Sequence, residues 1–340
     1  MKIISRYLFM VVIATLFTTA VTYGDDNVNS GNQKIDANDY LGAIADLTKA
    51  IAIDAKNAQA YHDRGYAKKS MRDYSGAIDD YTKAISLNSN FSAAYINRGY
   101  VKDATGDYSG AIEDYTKALQ INPKEALAYV NRGLSKDSIG DLPGAIADYT
   151  KAIEIDPKNA PAYVNRGITT AKIGTFQNAS ADFTKAIELQ PNMIQAFNNR
   201  GRAKMLMKDL SGAIADFTKA IEIDPKNPIG YFNRGSANSV IILRDKTDAI
   251  TDFSKAIELD PNFAAAYTGR GNARIMSGDI NGGIADMTTV IKLNPNDASA
   301  YYNRGAFKIL NNDKNSALAD FNKAIELDPK NAEMYKLLME

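Results

Sequence analysis

Residues 126–159 read ALAYVNRGLSKDSIGDLPGAIADYTKAIEIDPKN, and this stretch decides the fold. The dipeptide Arg132-Gly133 inside it recurs along the chain every 34 residues, with a single interval of 36 between Arg234 and Arg270. A fixed period of this length is the sign of a repeat architecture, in which each unit buries its apolar face against its neighbours. The 340 residues therefore predict a stack of similar units rather than two ordinary domains.

Each repeat predicts two amphipathic helices joined by a tight turn. Gly140 and Asp141 provide the turn, Asp141 is a good N-cap for the second helix, and Pro157 ends that helix. Small residues such as Gly99 and Ala111 are expected where the two helices approach closely. Within residues 142–154 the apolar side chains follow i, i+3, i+4, i+7 spacing: Leu142, Ala145, Ile146, Tyr149, Ala152 and Ile153.

The pattern resembles the tetratricopeptide repeat family. Counted from the first Ala of each repeat, Gly stands at position 8, Ala at 20 and 27, aromatic residues at 4, 17 and 24, and Pro at 32. The resemblance covers about residues 39–340 in about nine copies. It implies an all-α fold, a right-handed superhelical solenoid of helix–turn–helix repeats whose first helices line a concave groove. It also implies a protein-interaction scaffold without enzymatic activity.

Residues 1–24 have the layout of a secretory signal peptide. Lys2 and Arg6 form a basic start, an apolar run follows over residues 7–21, and the small residues Ala20 and Gly24 precede two acids. The sequence therefore predicts export to the periplasm or the medium. An uncleaved membrane anchor over residues 7–23 is the alternative, and it would be the chain's only link to a membrane.

The array proper is predicted over residues 39–331, and its ends and one repeat depart from the pattern. Residues 25–38 form a polar, degenerate first half-repeat that is expected to fray, and 332–340 form a capping half-repeat. That last segment ends in Leu337-Leu338-Met339, which either packs on the preceding helix or promotes self-association. The repeat at 228–263 holds two extra residues, which predict a longer first helix with a bulged turn or an apolar contact for a partner.

Composition excludes several classes of function. The chain has 40 basic and 40 acidic residues, so it lacks the positive surplus expected of a nucleic-acid binder. It has no Cys and a single His, His62, which rules out thiolate metal sites, thiol catalysis and multi-histidine metal sites. No phosphate-binding loop, dinucleotide fingerprint or HExxH motif occurs. We therefore expect no enzymatic activity and no cofactor.

Eight repeats carry an Arg at position 7, where the family usually has an apolar residue, and nine carry an Asp at position 23. Because a buried charge needs a partner, we expect a structural ladder of Arg–Asp pairs. Pairing across the repeat boundary, which would join Asp46 to Arg64, is favoured over pairing within a repeat, which would leave Asp46 without an Arg; an anion-binding Arg row is a further alternative. The residues at positions 7 and 23 are Arg64, Arg98, Arg132, Arg166, Arg200, Arg234, Arg270 and Arg304, with Asp46, Asp80, Asp114, Asp148, Asp182, Asp216, Asp252, Asp286 and Asp320.

Position 6 carries a row of asparagines: Asn97, Asn131, Asn165, Asn199, Asn233 and Asn303. The row resembles the asparagine ladder known from tetratricopeptide superhelices. A side-chain amide offers donors and an acceptor, so it can pair with a peptide backbone without reading the peptide's sequence. Tyr66, Tyr100, Phe232 and Tyr302 are candidate neighbours in such a groove. The alternative is that these amides only cap or hydrate the surface.

Together these features predict a protein-interaction scaffold that binds an extended peptide segment of a protein partner in its concave groove. Two alternatives stay open from the sequence. One is a factor in envelope assembly that binds through its convex face or its ends. The other is a carbohydrate-binding or cell-wall-binding module that uses exposed Tyr and Asn side chains.

Overall fold

The computed structural model describes residues 25–241 and 246–336, and within these ranges the regular structure is entirely helical. The predicted signal segment, the middle of the apolar turn at 242–245 and Leu337-Leu338-Met339 lie outside the described residues. The chain divides into two compact units, Met1–Thr169 and Thr170–Glu340, and the division falls inside one helix. Among the described residues, no helix combines the length and apolarity that a membrane span requires.

The helices are numbered in chain order. Those of the first unit are α1 (25–36), α2 (Tyr40–Ile53), α3 (Ala58–Ser70), α4 (Tyr74–Leu87), α5 (Ser92–Ala104), α6 (Tyr108–Ile121), α7 (Ala126–Ser138), α8 (Leu142–Ile155) and α9 (Ala160–Lys172), which extends into the second unit. The second unit continues with α10 (Phe176–Leu189), α11 (Ile194–Leu206), α12 (Leu210–Ile223), α13 (Pro228–Val240), α14 (Thr247–Leu259), α15 (Ala264–Met276), α16 (Ile280–Leu293), α17 (Ala298–Leu310), α18 (Lys314–Leu327), a 3₁₀ turn (Pro329–Asn331) and α19 (Ala332–Lys336).

In most helix pairs a glycine of the first helix packs against an aromatic ring of the second, while Leu47 and Met287 take the place of the ring against Gly31 and Gly271. In α7 and α8, the Tyr149 ring is buried against Gly133, and a Cβ added to Gly133 would lie 2.7 Å from the ring. The same contact joins Gly99 to Tyr115, where a Cβ would lie 2.9 Å from the ring. Since a real Cβ does not approach so closely, only glycine permits this helix spacing. The close approach predicted at Gly99 is confirmed.

The turn between paired helices is built from two local devices. The Asp141 side chain accepts a hydrogen bond from the Gly144 N–H at 3.0 Å and so caps α8, as the sequence predicts. Just before it, Gly140 has a φ of +84°, in the left-handed region that favours glycine. The equivalent position holds Arg72 and Lys208 in two other repeats, with φ of 64° and 65°. Those two turns therefore carry backbone strain that the Gly140 turn avoids.

The prediction that residues 25–38 are frayed is wrong, because residues 25–36 form helix α1. Val28 and Ile35 pack on the core cluster around Leu47. Lys34 and Ser30 donate hydrogen bonds to Asp46 at 2.6 and 2.8 Å. Lys34 stands at repeat position 11, and Ser30 takes the place of the Arg at position 7. This polar segment therefore follows the repeat pattern.

The two extra residues of the seventh repeat do not lengthen its first helix. Helix α13 has 13 residues, the same length as α11, and ends at Val240. The Lys246 side chain is buried and donates to the backbone carbonyls of Ser239 and Ile241 at 3.0 and 2.7 Å. An ammonium group thus satisfies carbonyls at the end of α13, where cations are favoured.

The last short helix packs on the repeat before it. Tyr335 of α19 is buried, and its ring centroid lies 5.2 Å from that of Tyr302 in α17. The Tyr335 hydroxyl donates to Asp328 at 3.1 Å. For the residues up to 336, these contacts support the alternative in which the C-terminal segment packs on the preceding helix.

Candidate functional site

In seven repeats the paired charges form a fork between the first and the second helix. In the fourth repeat, Arg132 of α7 donates from Nε to Asp148 Oδ2 at 2.9 Å and from Nη2 to Oδ1 at 2.7 Å. Lys136, one turn further along α7, reaches the same carboxylate at 2.8 Å. Asp148 is 4% exposed, so its charge is balanced by two cations in a largely buried setting. The two-cation arrangement recurs at Asp80, Asp114, Asp216, Asp286 and Asp320.

The expected pairing across the repeat boundary is wrong. Every described fork joins an Arg to the Asp that follows it in its own repeat: Arg64 to Asp80, Arg98 to Asp114, Arg132 to Asp148, Arg200 to Asp216, Arg234 to Asp252, Arg270 to Asp286 and Arg304 to Asp320. Asp46, without an Arg, is held by Lys34, Ser30 and Lys49, and their hydrogen bonds keep its pKa well below the usual range. Asp182 is buried in α10.

The third nitrogen of each guanidinium, Nη1, instead donates a hydrogen bond to a hydroxyl group of the preceding repeat. Arg132 Nη1 donates to the Thr116 hydroxyl of the preceding repeat at 3.0 Å, and Arg166 donates to Thr150 at 3.1 Å. The guanidinium carbon of Arg132 also lies 5.5 Å from the centre of the Tyr129 ring. The Arg side chain therefore joins its own two helices and the repeat before it. Because protein groups already occupy these guanidinium nitrogens, the Arg row has a structural role. It leaves few hydrogen-bond donors for an external anion.

The position-6 asparagines lie half-buried on the first helices. Two of them bond to position 5 of the preceding repeat: Asn97 Nδ2 donates to His62 Nε2 at 2.9 Å, and Asn233 Nδ2 donates to Asn198 Oδ1 at 3.2 Å. Within the described part of the chain, the other four amides make no hydrogen bond: Asn131, Asn165, Asn199 and Asn303. Those amides are free to bind a ligand.

His62 has a packing and bonding role. Because Asn97 donates to its Nε2, the proton of the neutral ring belongs on Nδ1, which donates to Asp63 Oδ1 at 2.8 Å. The ring centroid lies 4.8 Å from that of Phe91. Asp63 replaces Asn at position 6 of this repeat and is buried, with its Oδ2 atom lacking a partner.

The four aromatic candidates divide into two groups. Phe232 and Tyr302 are half-buried packing residues, with ring centroids 4.9 Å from Phe263 and 5.2 Å from Tyr335. Tyr66 and Tyr100 lie at position 9, where the Lys69 ammonium sits 4.1 Å from the Tyr66 ring centre and 5.2 Å from that of Tyr100. Tyr100 is 52% exposed and is thus accessible to a partner.

A pocket of about 300 Å³ opens beside Tyr100, between the first helices of the third and fourth repeats. Apolar and aromatic groups mix there with a few polar ones, as is usual for binding sites. Its lining residues are Tyr100, Asp103, Ala104, Tyr108, Asn131, Leu134, Ser135 and Ser138. The pocket therefore includes one of the asparagines whose amide is free.

Asp103 is the charged residue of this pocket, and sequence reasoning missed it. Its carboxylate accepts hydrogen bonds from the Tyr115 hydroxyl at 2.9 Å and from the Ser135 hydroxyl at 2.7 Å. Burial raises the pKa of Asp103, and Asp107 adds to the effect, whereas the two hydroxyl donors oppose it. The missed signal was the combination of Asp at position 12 with Ser at position 10 of the next repeat.

Comparisons with known proteins agree with this geometry. The family model described as "TPR repeat" matches residues 138–174, and two models described as "Tetratricopeptide repeat" match 92–125 and 194–227, and 58–91, 160–193 and 298–331. Together these segments cover more than half of the chain. The chain belongs to the tetratricopeptide repeat family. No curated protein matches this tetratricopeptide repeat chain.

Solved structures show the same fold. A tetratricopeptide repeat protein from Parabacteroides merdae superposes with a TM-score of 0.58 at 24% identity, over 73% of this chain and 97% of its own. The C-terminal part of a TPR repeat-containing protein from Cytophaga hutchinsonii gives a TM-score of 0.60 at 23% identity, over 71% and 98% of the two chains. The all-α solenoid prediction is confirmed by these matches.

A second pocket, of about 280 Å³, lies in the second compact unit around the Arg234–Asp252 pair. Ile214, Thr218, Asn238, Asp248 and Thr251 complete its lining, so it contains none of the position-6 asparagines. Asn238 stands here at the position where most repeats of this tetratricopeptide array carry Lys. Across residues 25–241 and 246–336, no group of three or more acidic or His side chains is placed to hold a metal ion.

Proposed function

We propose that this tetratricopeptide repeat protein is a non-enzymatic scaffold that binds an extended peptide segment along the face of its first helices. Family membership supports a role in protein–protein interaction. The finer proposal depends on one observation: Asn131, Asn165, Asn199 and Asn303 carry half-buried side-chain amides without protein partners.

The chemistry of these amides suits a peptide backbone. An extended peptide presents N–H and C=O groups along its length, and each primary amide can pair with one of each. A polar group in a half-buried setting gains when a ligand supplies its missing hydrogen bond. Because the amides recur once per repeat, such binding would be spread over several peptide units and would depend little on their side chains.

Substitution of two neighbouring amides tests the proposal. The purified protein is immobilised and exposed to a pool of random nine-residue peptides that carry a fluorophore. Asn131→Ala combined with Asn165→Ala should remove most of the retained fluorescence. Gln177→Ala combined with Asn178→Ala removes two exposed amides from the second helix α10 and serves as the control. Equal retention by the two double variants would overturn peptide binding at this face, and a sugar array would then test carbohydrate binding.

We also propose that the protein is exported, on the strength of the basic start and apolar run within residues 1–24. The expected mature protein begins after Ala20 or Gly24. N-terminal sequencing of the protein from the periplasm and the medium measures this directly. Recovery of an intact N-terminus in the membrane fraction would instead establish the anchor over residues 7–23.

A further inference from the structure

The pocket between α5 and α7 has an unbalanced negative charge. Asp103 is half-buried, and both of its oxygens accept hydrogen bonds only from neutral hydroxyls, those of Tyr115 and Ser135. No Lys, Arg or His lies within ion-pair distance of it among the described residues. A carboxylate withdrawn from water without a cation is in an unfavourable setting, which a cationic ligand would relieve.

Another carboxylate of the same repeat has its negative charge balanced by cations. Asp114 of α6 has Arg98 at 2.6 Å and Lys102 at 2.9 Å, so both nearby cations of α5 are already bound. Lys136 of α7 is likewise bound to Asp148. The cations of α5 and α7 next to the pocket are therefore bound to other carboxylates, and Lys69, beside the Tyr100 ring, makes no ion pair with Asp103. A basic group of a ligand would supply the counter-charge that Asp103 lacks within the fold.

The remaining lining of the pocket suits the stem and the head of a basic side chain. Tyr100 and Tyr108 present aromatic rings, and Leu134, 43% exposed, presents an apolar surface for methylene groups. A Lys ammonium already rests beside Tyr100 in this protein, since Lys69 lies 5.2 Å from the ring centre. Aromatic rings next to a carboxylate attract cations through both the ring quadrupole and the charge. The volume of about 300 Å³ is ample for one long side chain.

We propose that this pocket binds a Lys or Arg side chain of the peptide segment, with Asp103 as its counter-ion and Asn131 pairing with the adjacent backbone. The proposal rests on the proposed function and adds a chemical preference to it. Sequence-independent amides hold the segment, and the pocket places one basic residue against the third and fourth repeats.

Fixed-position libraries test the preference. Five pools of random nine-residue fluorescent peptides carry Lys, Arg, norleucine, Gln or Glu at the central position. Retention of the Lys and Arg pools by the full chain should exceed that of the norleucine pool roughly tenfold, as expected for a charge-assisted contact. Asp103→Asn should bring the Lys and Arg pools down to the level of the Gln pool. The control Glu113→Gln removes the same charge from an exposed site on α6 and should leave the preference intact.

The outcomes separate this inference from the proposed function. Equal retention of all five pools by the wild-type protein would overturn the basic pocket and leave peptide binding standing. Failure to retain any pool would overturn both. A preference for basic peptides that survives Asp103→Asn but is lost in Glu113→Gln would show that general surface charge, and not the pocket, selects them. Tyr100→Leu provides a second variant at an exposed side chain, and it should weaken the Lys and Arg pools selectively.

Discussion

Arg132 and Asp148 are joined by two parallel hydrogen bonds, Nε to Oδ2 at 2.9 Å and Nη2 to Oδ1 at 2.7 Å, within a single repeat. We expect Asp148→Asn to lower the free energy of unfolding by about 3 kcal/mol, because it leaves two cations beside a neutral amide in a buried setting. Combined with Arg132→Met in a double-mutant cycle, it should show a coupling energy above about 1 kcal/mol. Urea denaturation followed by circular dichroism measures each variant.

Arg166 supplies the matched control for that cycle. Its described bond goes to the Thr150 hydroxyl, whereas the partners of Asp148 are Arg132 and Lys136. The coupling of Asp148→Asn with Arg166→Met should therefore be close to zero. A large coupling with Arg166 and none with Arg132 would restore the pairing across the repeat boundary.

The repeat period predicted most of the fold but left the pairing of charges open. Helix pairs, the Asp141 cap and the close contact at Gly99 follow from residue types at fixed spacing, which is local information. The Arg position is one helix away from both the Asp of its own repeat and that of the preceding one, so spacing alone cannot choose between them. The structure shows that the fork points to its own repeat while Nη1 reaches back to a Thr hydroxyl.

The candidate site was only partly predictable, because it depends on departures from the repeat. Position 6 could be recognised as a row of Asn since it recurs. Asp103 bonds to Ser135 and Tyr115 from position 12, where the residue type varies between repeats, so the shared pattern conceals this group. The next repeat has the corresponding bond from Thr169 to Asp137, at 2.9 Å. Phe232 could not be separated from Tyr100 by residue type, because packing against Phe253 and Phe263, distant in sequence, decides its burial.

Tyr81 and Tyr115 should respond in opposite ways to loss of their hydroxyl. The Tyr115 hydroxyl donates to Asp103, whereas the repeat of Tyr81 has Lys69 in place of that Asp, and the buried Tyr81 hydroxyl has no partner. Tyr81→Phe should raise the free energy of unfolding by about 1 kcal/mol, and Tyr115→Phe should lower it by about 1 kcal/mol. Thermal and urea unfolding of both variants measure the signs. A loss of stability in Tyr81→Phe would show that its hydroxyl is satisfied by water.

The turns before the second helices offer a second pair of opposite effects. Arg72 is exposed and adopts a φ of 64°, so Arg72→Gly should stabilise the protein by about 1 kcal/mol. Gly140 has a φ of +84°, and no atom lies within 4 Å of an added Cβ, so Gly140→Ala should destabilise it by a similar amount through backbone strain alone. Denaturant midpoints measure both. Equal signs for the two substitutions would contradict the strain argument.

Asp103 should make the stability of the free protein fall as the pH rises. Burial raises the pKa of this carboxyl, so the folded chain keeps the proton to a higher pH than the unfolded chain does. Stability is therefore lost as the pH rises from about 4 through the folded pKa, and it stays constant above that value. Asp103→Asn cannot titrate, so the stability of the variant relative to the wild type should increase between about pH 4 and pH 7. Urea titrations at several pH values measure this difference, with Glu113→Gln as the exposed control that should show no such trend. A difference that stays flat or shrinks over this range would mean that the Tyr115 and Ser135 hydroxyls outweigh burial, and that the Asp103 charge is already well accommodated without a cation.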